Sequence, residues 1–517
     1  MEVPAEGVIM AEFEGLQQVR NKYRDRAREY AKVTLPYLLP ETEQTDSNEF
    51  QNDYNTEGAK LVNALANRYT ETLFPAGRSF VKLDLTEEQY SMQEQAGQSK
   101  ADIMTTFARI ERDFRVKFGE IQARATILDA MKHLIVTGNA LLHLPQEGNL
   151  MNYAIDEYVV LRDLSGKVLK IITEDKKAVM SLPEDIRSAV IAGMDIDADA
   201  DLTQINVSLF TYIRRDPDNP EQWLVDQAVE SIPVGEQNIY NDQTLRWFPV
   251  IWNRTRREMY GRGLVEEHFG SFWTMSILSE ALAVGAVTLA DIKFLVRPGS
   301  MVDVARMNAS ASGTYHYGDP DDINAVTSDK NRDMMMIQDV IEAYKRHLGE
   351  VFMYLPSTMR DAERVTAEEN RLRARELESG HGGVYSMLAD GLQKPLAILI
   401  FNQMGISDLE SSGVEIVISA GLNALSRGAE NDKINHWMSD LSQTNNVPPD
   451  VRQRIKMSDF LQVTAAGRDV DFSKFIMNEN EFQQAMAQAQ QQQTQAIGQQ
   501  ELMKKADPEQ LAGALQQ

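Results

Sequence analysis

Residues 364–396, RVTAEENRLRARELESGHGGVYSMLADGLQKPL, constrain the fold more than any other stretch, because a helical start signal and a long apolar stripe share it with helix breakers. Thr366 followed by Glu369 forms a capping box, in which the hydroxyl and the carboxylate each satisfy a backbone N–H left over in the first turn. The pattern predicts a helix beginning near Ala367. Apolar residues recur at Leu377, Val384, Leu388, Leu392, Leu396 and Leu399, which keeps one stripe turned toward a partner. Between residues 360 and 378, Arg360, Arg364, Arg371, Arg373 and Arg375 alternate with Asp361, Glu363, Glu368, Glu369, Glu376 and Glu378, so the other face suits water. Gly380, Gly382 and Gly383 each cost about 1 kcal/mol against alanine inside a helix, and Pro395 about 3 kcal/mol. The expectation is one long helix with built-in breaks: a kinked core helix of an ordinary domain, or a segment meant to bend.

The chain has 517 residues, enough for two to four substructures around a sizeable core. It contains no cysteine, which rules out disulfides, thiolate metal sites and a cysteine nucleophile. The best apolar run, residues 281–296, is interrupted by Asp291 and Lys293, so no bilayer span is expected and no membrane partner either. The first fifteen residues lack a basic region and an apolar signal core, which makes a soluble, unexported protein the default. A formal net charge of -25 argues against a protein that grips nucleic acid through its phosphates.

Residues 8–33 carry Met10, Phe13, Leu16, Val19, Tyr23, Ala27 and Tyr30 near one face and predict an amphipathic helix ended near Pro36. Residues 56–73 repeat the pattern and close at Pro75 and Gly77. A helical block over 87–118 is followed by another over 123–136, and Thr137, Gly138 and Asn139 turn into a short strand, 140–144. Paired strands are expected at 158–164 with 167–173 around Ser165 and Gly166, then at 205–214 with 222–229 around the 216–220 turn, with another at 249–252. After Gly263 two helices, 264–294 and 334–354, form a helical hairpin, the second with Ile337, Ile341, Tyr344, Leu348 and Val351 at alternating four and three spacing. The Gly, Asp, Ser and Pro-rich stretch at 296–331 is too long for a turn and reads as a small subdomain. Short helices are expected at 431–441 and 450–461. Ten of the twenty residues from Glu481 to Gln500 are glutamine, a low-complexity tail.

Motifs that carry chemistry are missing. No phosphate-binding P-loop and no G-x-S-x-G elbow occurs, and Tyr260-Gly261-Arg262-Gly263 lacks the third glycine of a dinucleotide loop. The histidines, His133, His143, His268, His316, His347, His381 and His436, include no H-E-x-x-H pair. Asp195, Asp197, Asp199 and Asp201 imitate half of an EF-hand, but Ala200 stands where glycine is needed and Asn206 where glutamate belongs, so a solvated loop is the better reading. No catalytic residue, metal or cofactor is expected. Trp223, Trp247, Trp252, Trp273 and Trp437 read as core or interface anchors.

Four stretches carry a resemblance: the RVTAEE opening, ELE and GGVYS of residues 364–396; MKHLIVTGNALLHLP at 131–145; YGRGLVEEHFG at 260–270; and VEIVISAGLNALSRG at 414–428. In this order they resemble the portal proteins, or head-tail connectors, of T7-like short-tailed bacteriophages. The resemblance implies an α+β, mostly α fold: a wing over 1–262, stem helices over 263–296 and 331–354 flanking a clip at 297–330, and a tunnel loop at 355–365. A long kinked helix with a returning wing strand would follow at 366–428, then crown helices at 429–475 and the tail at 476–517. It further implies a homo-oligomeric ring of 12 copies at one capsid vertex, through which double-stranded DNA enters, driven by the terminase large subunit, and later leaves. The implied partners are the major capsid protein, the scaffolding protein, and tail adaptor and internal core proteins.

Within that frame Lys330, Arg332, Lys345, Arg346, Arg360 and Arg364 are candidate channel-lining residues, bands of positive charge in an acidic conduit, weighed against plain intersubunit ion pairs. Pro356, Gly380, Gly382, Gly383 and Pro395 are candidate hinges. The rival readings are an internal scaffold or core protein of a virion and, less favoured, a metal-dependent hydrolase using the acidic cluster.

Overall fold

The computed structural model describes residues 5, 7–40, 53–76, 79–85, 89, 92, 100–194, 201–290, 293–317, 319–326, 331–354, 383–406 and 413–418. The capping box at Thr366, Leu377, His381, the Asp195 to Asp199 run, Trp437, the crown helices and the glutamine-rich tail lie outside them.

The first helix, α1 (Val8–Lys32), buries Ile9, Phe13, Arg20, Ala27, Tyr30 and Ala31 along one side. Helix α2 (Glu57–Leu73) follows, and strand β1 (Val81–Leu85) leads to α3 (Lys100–Glu120). Helix α4 (Ala123–Thr137) has nine of its 15 residues buried, among them Ile127, Met131, Leu134 and Ile135, which makes it the central rod of the main core. It stops at Gly138, whose φ of 77° is the left-handed conformation glycine adopts without strain and whose N–H returns to the Leu134 carbonyl at 3.0 Å.

Short strands β2 (Asn139–His143) and β3 (Met151–Tyr153) come next, then the hairpin β4 (Tyr158–Arg162) and β5 (Val168–Ala178). Helix α5 (Glu184–Gly193) precedes β6 (Asn206–Arg215), β7 (Gln222–Val229), β8 (Ile232–Asn241) and β9 (Trp247–Ile251). The order β4-β5-β6-β7-β8 is an antiparallel meander, while β2 lies between β3 and β9 in a second sheet. Strand alternation explains how the meander is covered on both faces. Ile172, Phe210, Tyr212 and Ala228 pack with Ile9 and Phe13 of α1, whereas Val207, Leu209, Val229 and Val234 pack with Val190 of α5 and with Val179 and Leu182.

Beyond a one-turn helix at Leu264–Glu267 lie α6 (Phe269–Ala290), β10 (Lys293–Val296), β11 (Ile323–Val326) and α7 (Asn331–Val351). The expected hairpin is therefore present, with an antiparallel ribbon of β10 and β11 at its tip. The expectation of no membrane-length apolar run needs correction. The segment Phe269–Thr288 is long and apolar enough to cross a bilayer by length and composition, because Ser, Thr and Gly do not interrupt it as a charge would. Glu280 is its only charged residue.

Of the expected long broken helix only the part from Gly383 onward lies within the described residues. Gly383 has φ 91°, so helix Val384–Leu388 starts after it. A π-turn over Ala389–Gln393 then leads into α8 (Lys394–Gln403), with Pro395 in its first turn. Pro395 has no N–H for the Gly391 carbonyl, and a widened turn lets the ladder pass that gap, so the irregularity precedes the proline. Leu388, Leu392 and Leu396 are fully buried, as the stripe requires. Strand β12 (Val414–Ile418) pairs antiparallel with β1, Val81 opposite Ile418.

Candidate functional site: an exposed helical hairpin and its anchorage

The sequence motifs at residues 131–145 and 260–270 meet in space. Buried Asn139 accepts from the Gly261 N–H through Oδ1 at 2.6 Å and donates from Nδ2 to the Gly261 carbonyl at 2.9 Å. An added Cβ on Gly263 would stand 2.6 Å from the Ile135 carbonyl oxygen and 2.7 Å from that of Val136, so glycine is required for the close approach. The Tyr260 hydroxyl accepts from the Val160 N–H at 3.0 Å. These residues are a clamp that fixes the foot of the hairpin to α4.

From that clamp rise α6 and α7. Phe272 and Phe352 meet edge to face at 5.5 Å, and His268 and His347 at 5.9 Å. Farther out, an added Cβ on Gly285 would come within 2.5 Å of Met334 Cε, so the helices remain in contact. Asn55 donates to Ser279 Oγ at 2.9 Å, tying the segment before α2 to α6. Glu267 holds its attraction out toward His268, but burial and the His347 charge keep that imidazole below its ordinary pKa, burial being the larger effect.

The outer side of this hairpin is apolar and open. Trp273, Ile277, Val284 and Val287 of α6 are 46%, 48%, 55% and 73% exposed, and their spacing puts them on one stripe. Met335, Met336 and Val340 of α7 are exposed as well. At the tip, Arg297 and Asp322 pair at 3.8 Å beside exposed Met301, Tyr315 and Tyr317. Exposed apolar surface of this extent marks a place where another surface is meant to sit.

Of the candidate channel residues, Arg332, Lys345 and Arg346 are exposed on α7. Arg332 lies about 20 Å along the helix from the other two, given a rise of about 1.5 Å per residue. Lys330, Arg360 and Arg364 lie outside the described residues, as do the candidate hinges Pro356, Gly380 and Gly382. Among the tryptophans Trp223, Trp247 and Trp252 are core residues, and Trp273 alone of the described ones stands out in solvent.

A cleft of about 500 Å³, which no sequence motif announced, lies between α4, β3 and the β4–β5 hairpin and is lined by Asp129, Asn152, Tyr153, Glu157 and Asp175 among others. Tyr153 donates its hydroxyl to Asp175 Oδ2 at 3.2 Å, and Asn152 donates to Asp129 Oδ2 at 2.8 Å. Burial, then the neighbouring carboxylates of Asp156, Asp175 and Asp129, raise the Glu157 carboxyl to about 7, against the pull of the Ala154 N–H. Four separate segments supply these residues, so no spacing in the sequence could have shown them. Among the described residues no three His, Asp or Glu side chains group as metal ligands.

The profile of the family described as bacteriophage head to tail connecting protein matches residues 6–473. The chain belongs to this connector family. It is 35% identical over 485 residues to the portal protein of Enterobacteria phage SP6, covering 94% of this chain and 93% of that one. The portal protein of Escherichia phage T7 is 31% identical over 494 residues, with 94% and 91% covered, and that of Pseudomonas phage phiKMV is 28% identical over 487 residues, with 92% and 94% covered. Among solved structures, the neck of an empty gene transfer agent particle is 10% identical with a TM-score of 0.35, covering 73% of this chain and 84% of its own. The similarity to these portal proteins runs along nearly the whole chain, which supports the role of a head-tail connector.

Proposed function

We propose that copies of this chain close into a ring, twelve in number by the resemblance, with the α6–α7 hairpin as the stem, the β10–β11 ribbon region as the clip, and the two sheets with their helices as the wing. The observation that carries this reading is the apolar stripe of Trp273, Ile277, Val284 and Val287, left open on a helix already anchored by the Asn139 clamp. In a closed ring each subunit presents one surface to the next, and an open apolar helix face is what such a contact consumes. Double-stranded DNA passes along the axis, driven inward by a terminase and released later toward the tail. The net charge of -25 favours a wall that does not adhere to phosphate, with Arg332, Lys345 and Arg346 as interspersed positive points. The assembly sits at the head-tail junction of the virion, built in the host cytoplasm with the capsid and scaffolding proteins. Electron micrographs of the purified full chain test this: rings with an axial opening wide enough for duplex DNA are expected, and a monomer at every concentration, or solid particles, would refute it.

A further inference from the structure

The β4–β5 hairpin ends in a turn whose one carboxylate is already occupied. Asp163 Oδ1 accepts from Ser165 Oγ at 2.6 Å, from the Gly166 N–H at 2.7 Å and from the Lys167 N–H at 2.8 Å. Two guanidinium groups flank this turn. Arg162 donates from Nη1 to the Gly166 carbonyl and from Nη2 to the Pro249 carbonyl, both at 3.2 Å, and Arg254 donates from Nη2 to the Ser165 carbonyl at 2.7 Å. All three acceptors are neutral. Among the described residues the buried Arg162 Nε and Arg254 Nη1 have no hydrogen-bond partner, and neither side chain forms an ion pair. A side chain on Gly166 would overlap the Arg254 guanidinium, so the glycine is what lets that charge lie on the turn. Lys167, Arg256 and Arg257 stand exposed around the pair, Arg257 with φ 79° at the loop's bend.

Two half-buried like charges without a counter-charge are unfavourable, and an arriving carboxylate relieves both at once. We propose that the Arg162–Arg254 pair receives a carboxylate from a neighbouring copy of this chain. The inference rests on the ring reading above. A second copy is favoured because the chain has 77 acidic against 52 basic residues, so every copy offers surplus carboxylates. Away from this turn, Glu157 and Asp175 of the same hairpin line the cleft together with Asp129 of α4, and a ring joins two different surfaces of one chain. Duplex phosphate is the rival anion, and cross-linking between copies separates the two.

Arg254→Lys keeps the charge and supplies an amine that a carbodiimide joins to a touching carboxylate. Rings assembled from nitrogen-isotope-labelled and unlabelled full-length chains carrying this substitution are treated with the reagent, and the linked peptides are read by mass spectrometry. The expected result is a link from position 254 of one isotope to an Asp or Glu of the other, lost in high salt, with Arg254→Met rings dissociating at lower salt than the parent's. Rings whose position-254 links all stay within one isotope overturn the proposal, as does Arg254→Met leaving ring stability unchanged while lowering retention of duplex DNA. If the unsubstituted chain forms no rings the ring reading itself fails; if it forms them without the inter-copy link, only this inference does.

Discussion

Asn139 and Gly261 hold each other by two hydrogen bonds, the Gly261 N–H to Asn139 Oδ1 at 2.6 Å and Asn139 Nδ2 to the Gly261 carbonyl at 2.9 Å, both buried. Asn139→Ala leaves a donor and an acceptor of Gly261 unsatisfied, at about 1–3 kcal/mol each. Asn139→Asp keeps the acceptor but sets a buried anionic oxygen against the Thr137 and Gly261 carbonyls, so it should cost at least as much as Asn139→Ala. The measurement is chemical denaturation of the unassembled chain. Equal stability of all three proteins would show that the clamp does not hold the hairpin foot.

The helices were legible because their apolar residues recur at helical spacing over long runs, as in α1, α2 and α7, and the β4–β5 and β6–β7 hairpins because turn residues separate alternating strands. Strand β8 escaped notice because Pro233 and Gly235 interrupt it, which an edge strand tolerates. The β1–β12 pair joins distant parts of the chain, and nothing local in either strand names the other. The membrane-length run was misjudged by starting it at Ala281 rather than Phe269. For the site, the sequence located the hairpin and three described basic residues on it. It gave no sign of the open stripe, because exposure depends on what else packs nearby.

That stripe yields the second prediction. Val284→Asp with Val287→Asp places charges at positions exposed in the subunit, where substitutions away from packed features change folding stability by only about 0.5 kcal/mol. In a ring the same carboxylates would be buried against apolar neighbours, a much larger penalty. Sedimentation velocity should find rings for the parent and a folded, smaller species for the variant, with unchanged circular dichroism. Rings persisting in the double variant would place the subunit contact elsewhere.

His143 lies flat on Trp247, with ring centroids 4.2 Å apart, and burial followed by the Arg246 and Lys177 charges lowers it from 6.5 to about 4. A group that binds its proton less tightly when folded contributes its full stability above the unfolded value. That contribution is lost as the pH falls from 6.5 toward 4, by about 3 kcal/mol at the end of the window. His143→Phe keeps the stack and removes this slope. Melting temperatures across that window should therefore fall less steeply for the variant, and parallel curves would rule out the imidazole as the acid-sensitive group.

Gly383 gives the last prediction. Its φ of 91° lies in the left-handed region, where an L side chain is strained by about 1–2 kcal/mol, and a helix begins at Val384. Nothing stands within 4 Å of an added Cβ, so Gly383→Ala acts on the backbone alone. It disfavours the left-handed turn at the position and favours helical geometry there, a stiffening that leaves the buried stripe of Leu388, Leu392 and Leu396 untouched. Rings should therefore form normally, while packaged DNA per particle or phage yield falls if this break must bend during translocation. Intact rings with undiminished yield would show that the break at Gly383 is a packing feature with no part in moving DNA.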